Sequence, residues 1–95
     1  MKTSEKHSVE LTPDEYDALK QNSLIQIACK DLLASPRKRS GYFILCLTKG
    51  QLEELTGFVA AEANHADTRE EEEALGDVCE YLEGILYNIR LGNNR

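Results

Sequence analysis

The sequence lacks the segments that would carry it into or across a membrane. It contains no run of about 18 apolar residues, the length that a transmembrane helix requires. Residues 1–7 include no apolar stretch of the kind found in a signal peptide. We therefore expect a cytoplasmic protein with no membrane partner.

The sequence also lacks an even number of cysteines. The three cysteines, Cys29, Cys46 and Cys79, lie far apart and have apolar neighbours. A disulfide framework would prefer an even count in a secreted chain, whereas free cysteine commonly behaves as a small apolar residue. The sequence therefore predicts three buried free thiols.

Charge of one sign is missing from one long segment and nearly missing from the next. Residues 32–52 contain no acid, and residues 53–83 contain one base, Arg69, among many acids. The net charge is -6 and the pI is near 4.9. Because phosphate contacts need a broad cationic face, we expect no nucleic-acid partner. The acidic run is either a solvated helix face or a docking surface for a basic partner.

The motifs of nucleophilic and phosphate chemistry are absent as well. The chain has no glycine-rich phosphate loop, and its cysteines and histidines do not form a nucleophile beside a base. We predict no catalytic residue and no bound cofactor.

What is present is one small domain. Ninety-five residues with 41% apolar side chains support a single core. We place the domain at residues 8–91, with a disordered tail at 1–7 and a frayed tail at 92–95. A capping box at Thr12 with Pro13 at the first helical position predicts a helix start.

The segment after this helix has two possible structures. A break near Asn22 is expected, because the apolar residues on its two sides would lie on opposite faces of one continuous helix. A capping box at Ser23 favours a second helix from Leu24 to Ala34. The alternation of Ile25, Ile27 and Cys29 leaves a strand over residues 24–33 open. Residues 37–41 are predicted to form an exposed basic loop.

The best strand in the sequence is Tyr42–Leu47, which is dense in β-forming residues. Its only plausible partner is the segment 8–11. Both segments end in Leu-Thr followed by a helix cap. This similarity is either a diverged strand–helix repeat or one capping motif used twice, and we favour the second reading.

Two helices complete the chain. The first begins at Lys49 and is expected to end at Asn64 or His65, and a capping box at Thr68 begins the second. Helices joined by so short a turn form an antiparallel hairpin. The predicted fold is therefore α+β and predominantly helical, with a short two-stranded element and a C-terminal antiparallel helical hairpin.

The last helix carries an apolar stripe with heptad-like spacing. It is wider than its alanine-rich neighbour can cover, so a second copy, or the segment 24–33 together with the strand, must cover the remainder. We therefore predict a homodimer. The expected interaction residues are Leu75, Val78, Leu82, Ile85 and Ile89.

Two residue pairs suit a metal ion. Glu62 and His65 lie one helical turn apart, a spacing that di-iron helical bundles use. Glu73 and Asp77 share a helix face with Glu80, and carboxylate oxygens suit Mg²⁺. These residues define an alternative hypothesis, a metal-dependent enzyme or metal-binding protein.

The segment 71–78 resembles the second metal motif of the all-helical MazG-type nucleotide pyrophosphohydrolases, and this resemblance implies metal-binding acids. The chain departs from the family pattern at Ala74, where the family has a glutamate. It departs again at Gly57, where the first acidic motif would need one after Glu53 and Glu54. We therefore favour a non-enzymatic interaction or regulatory protein that acts as a homo-oligomer or as the acidic partner of a basic protein.

Overall fold

The computed structural model describes residues 5–34 and 36–91, so the expectations for residues 1–4 and 92–95 lie outside it. Helices dominate the described residues, and the C-terminal pair forms the predicted antiparallel hairpin. The α+β fold class is therefore confirmed. The elements, in chain order, are β1 (Lys6–Leu11), α1 (Pro13–Gln21), α2 (Ser23–Ala28), α3 (Lys30–Leu33), β2 (Arg37–Arg39), β3 (Tyr42–Thr48), α4 (Lys49–Asn64) and α5 (Arg69–Arg90).

The sheet has three strands rather than the two expected. It is antiparallel in the order β1-β3-β2, with β3 in the centre. The basic segment, predicted to be a loop, forms β2 because Ser40 and Gly41 both adopt positive φ (53° and 85°). Such a pair of residues makes the tight turn that suits a two-residue hairpin. β1 also begins earlier than expected, because Lys6 pairs with Thr48 and His7 with Leu47.

The helices cover one face of the sheet. Val9 and Leu11 on β1, with Leu45 and Leu47 on β3, point into the core. Phe43 stacks on Tyr16 of α1, with ring centroids 4.4 Å apart. The opposite face carries exposed residues, including Cys46. The prediction that all three thiols are buried is therefore wrong for Cys46, whose side chain alternates away from the core.

The segment after α1 is helical, so the strand alternative is wrong. The break falls at Asn22 as expected, but Asn22 is extended (φ −81°, ψ 116°) and caps α2 in place of Ser23. The single helix expected from Leu24 to Ala34 is instead two short helices, α2 and α3, which are separated at Cys29. The Tyr16 hydroxyl donates to the Leu33 carbonyl at 2.7 Å, which holds α3 against α1.

The two strand–helix units share the same order of elements and the same type of helix cap. The same separation in sequence relates Val9 to Leu45 and the capping residue Thr12 to Thr48. Val9 also lies directly opposite Leu45 in the antiparallel pair. Both capping boxes are complete. These shared features are expected both of a diverged strand–helix repeat and of one capping motif used twice.

Among the described helices, none combines the length and apolar character needed to span a membrane.

Candidate interaction surface

The four residues proposed for a metal do not converge on one site. Across residues 5–34 and 36–91, no group of three or more histidine, cysteine, aspartate or glutamate side chains is placed to hold a metal ion. His65 is exposed and ends α4 through its backbone N–H, which donates to the Glu62 carbonyl at 3.2 Å. Glu73 and Asp77 are exposed on α5. The geometry therefore gives the metal hypothesis no support.

Glu62 instead belongs to a polar cluster around Asn22. The Asn22 amide nitrogen donates to Glu62 Oε1 at 3.1 Å and to Glu71 Oε2 at 3.3 Å. Its side-chain oxygen accepts the Ile25 N–H at 2.9 Å, which caps α2. One buried side chain therefore joins the α1–α2 junction to α4 and α5. We call Asn22, Glu62 and Glu71 the Asn22 cluster.

Sequence reasoning missed the central role of Asn22. The break near this residue was visible in the helical periodicity, but its two carboxylate partners lie far away in the chain. The predicted capping box at Thr68 is only half formed. Thr68 accepts the Glu71 N–H at 3.1 Å, while the Glu71 carboxylate accepts from Asn22 and from the Asp67 N–H.

The expected interaction stripe lies in the core of this chain. Leu75, Val78 and Leu82 are buried, and Ile85 and Ile89 are partly buried against the same cluster. Besides α4, the element that covers the stripe is mainly α1, which packs against α5. The sequence had predicted the segment 24–33 with the strand in this place. The chain therefore covers most of this stripe itself, and the stripe does not require a second copy as its cover.

Tyr81 lies beside the apolar stripe of α5 and contacts β1, which is an edge strand of the sheet. Its hydroxyl accepts the backbone N–H of Glu10 on β1 at 3.2 Å. Burial is the largest cause that raises the pKa of this hydroxyl. The free edge of β2 carries three basic residues instead, and charge on an edge strand discourages strand pairing between copies.

A groove remains open along the seam between α4 and α5. It encloses about 700 Å³ and its floor includes small residues of both helices. Tyr87 borders it with 61% of its surface exposed. We call this feature the hairpin groove, and its lining residues are Glu53, Thr56, Gly57, Ala60, Glu83, Gly84, Leu86, Tyr87 and Arg90.

The borders of the hairpin groove carry charge. Glu53 lies on the α4 side and Glu83 on the α5 side. Arg90 Nη2 lies 3.7 Å from Glu53 Oε2, and Lys49 Nζ lies 4.0 Å from the same oxygen. A second depression of about 470 Å³ continues the seam toward the hairpin turn. It is lined by Ala63, Asn64, Arg69, Glu72, Glu73 and Gly76.

The buried thiols are not suited to nucleophilic chemistry. Burial, followed by the charge and hydrogen bond of Glu83, raises the pKa of Cys79 to about 11. Burial and the charge of Glu54 also raise the pKa of Cys29. Because the thiolate is the reactive form, both groups are held in the unreactive state near neutral pH.

Comparison of the chain with models of known families, with curated proteins and with solved structures gives no match. The resemblance of residues 71–78 to a pyrophosphohydrolase motif therefore has no wider match to support it.

Proposed function

We propose that this chain is a non-enzymatic interaction protein that binds a basic segment of another protein through its α4–α5 hairpin. The proposal rests on one observation, the many exposed acidic side chains of this hairpin. Among the described residues, the ion pairs formed are those of Glu53 with Lys49 and Arg90. The other exposed hairpin acids have no basic partner within the described chain, and they are Glu54, Asp67, Glu70, Glu72, Glu73, Asp77, Glu80 and Glu83.

Two further observations favour binding over catalysis. The buried thiols have raised pKa values, and the described histidine, cysteine and carboxylate side chains form no metal-binding group. Charge complementarity fixes which partners are accepted and speeds their encounter. A surface with excess negative charge therefore suits a positively charged partner and disfavours nucleic acid.

A charge-reversal experiment tests the proposal. The probe is a fluorescently labelled amphipathic helical peptide with lysines on one face, and anisotropy measures its dissociation constant. Glu83→Lys should weaken binding roughly fivefold, because a favourable charge contact of about 1 kcal/mol is lost. The control Asp17→Lys changes net charge equally on exposed α1 and should change the constant less than about twofold. Equal losses in both variants would show non-specific attraction and contradict the proposal.

Self-association is the second candidate. Like charges on the hairpins of two copies oppose a symmetric contact through this surface. Light scattering coupled to gel filtration decides between the two candidates. A mass near 10.7 kDa at tens of micromolar favours an external partner, and twice that mass favours a dimer.

A further inference from the structure

We propose that the hairpin groove is the binding site and that its occupant is a cationic amphipathic helix. This inference rests on the proposed function and names the site and the partner within it. The occupant would place small or aliphatic side chains on the groove floor. Its lysines or arginines would face acids of α5 that form no ion pair among the described residues, namely Glu83 in the groove and Glu72 and Glu73 farther along the same seam.

The glycines of the groove are the first support. Glycine in the middle of a helix is destabilising relative to alanine. Gly57 and Gly84 lie in the interiors of α4 and α5, yet a Cβ atom added at either position would meet no atom within 4 Å. The packing of this chain therefore does not require glycine at these two positions. Because glycine has no side chain, an open channel remains between the two helices at these positions.

The composition of the groove is the second support. Leu86 lies on its floor with 4% of its surface exposed, while Tyr87 presents a largely exposed ring at its border. An apolar floor with a polar border is the usual anatomy of a site that receives an amphipathic helix. The acids at the borders are Glu53 and Glu83, and Glu72 and Glu73 follow along the same seam. Lys49 and Arg90 both pair with Glu53, so the acids along the seam without a basic partner in the described part of the chain are Glu83, Glu72 and Glu73.

A second copy of this chain does not supply such a helix. Each described helix carries at most two basic residues, and the longest, α5, has Arg69 and Arg90 at its two ends. The basic cluster Arg37–Arg39 lies in a strand. The charge pattern of the groove therefore points to a helix from a different protein.

Filling the groove tests the inference without changing its charge. The probe is the labelled lysine-bearing helical peptide, and the variant is Gly57→Leu combined with Gly84→Leu. Because a Cβ atom at either position meets no atom within 4 Å and leucine favours the helix more than glycine does, the melting temperature should stay the same or rise. Steric exclusion should weaken peptide binding at least about tenfold. The control Gly50→Leu lies at the start of α4, outside the groove, and should leave binding unchanged.

The outcomes separate the inference from the proposed function. If the filled variant binds as tightly as the parent while Glu83→Lys still weakens binding, the acidic hairpin is the binding surface but the groove is not. If the parent chain does not bind the peptide at millimolar concentration, both the inference and the proposed function fail. A filled variant that loses binding while its circular dichroism and melting temperature are retained supports the groove.

Discussion

Asn22 is the side chain that most depends on the native arrangement of the helices. It is 7% exposed, and its hydrogen bonds reach α2, α4 and α5 while its backbone ends α1. A buried amide reduces the stability of the fold when its hydrogen bonds are not made. When every partner is in place, the network can stabilise the fold more than the sum of its single hydrogen bonds. The polar interactions of this junction therefore act together rather than singly.

Replacing Asn22 should destabilise the fold measurably. Asn22→Ala removes the α2 cap and leaves the carboxylates of Glu62 and Glu71 without their shared donor. We expect the free energy of unfolding, measured by urea denaturation, to fall by about 1–3 kcal/mol.

Asn64→Ala is the matched control for this change. Asn64 is exposed, and its side chain forms no hydrogen bond with another described residue, so the free energy should change by less than about 0.5 kcal/mol. The sequence alone predicted the end of α4 at Asn64 or His65 but gave no sign that Asn22 joins this region. If Asn64→Ala cost as much as Asn22→Ala, the Asn22 cluster would not be the source of this stability.

At the scale of elements, local signals predicted most of the structure. The starts of α1, α4 and α5 follow from threonines whose hydroxyls accept the N–H of the third helical residue. The end of α4 at Asn64 and the break at Asn22 also follow from local sequence. These features depend on residues within one turn of each other, so sequence reasoning reaches them.

Elements that depend on distant partners were predicted less well. β2 is a strand because its three basic residues pair with Tyr42, Phe43 and Ile44 across a tight turn. Its own residues carry no alternating apolar pattern, so the sequence indicated a loop. The cover of the α5 stripe by α1 depends in the same way on packing between segments far apart in the chain.

The hairpin groove was beyond sequence reasoning for a similar reason. The alanines of α4 predicted a slim helix that permits close approach of another. The sequence did not show that the glycines of α4 and α5 face one channel, since this depends on how the two helices are rotated against each other.

Tyr81 offers a test of how the edge of the sheet is protected. Tyr81→Phe removes the hydroxyl that accepts the Glu10 N–H, so this amide should exchange with solvent faster, by roughly fivefold. Hydrogen exchange followed by nuclear magnetic resonance measures the change. Tyr87→Phe is the matched control, because Tyr87 is largely exposed on the same helix and borders the hairpin groove instead of contacting Glu10. Unchanged exchange at Glu10 in Tyr81→Phe would show that α5 does not protect this strand.

At the scale of the whole molecule, the charge is divided between two surfaces. The outer face of the sheet carries Lys6, Arg37 and Arg39, while the α4–α5 hairpin carries most of the exposed acids. The net charge of -6 is therefore concentrated on the hairpin rather than spread evenly. Such a distribution orients a charged partner before contact, and the effect weakens as salt is added.

Mapping the bound peptide by nuclear magnetic resonance tests the central claim most directly. The chain is labelled with nitrogen-15 and titrated with the unlabelled lysine-bearing helical peptide. The account predicts that the largest amide shift changes fall at Gly57, Ala60, Gly84 and Tyr87, and that they diminish as salt is raised. Changes of similar size at all exposed acids, or changes concentrated on the outer face of the sheet, would contradict it.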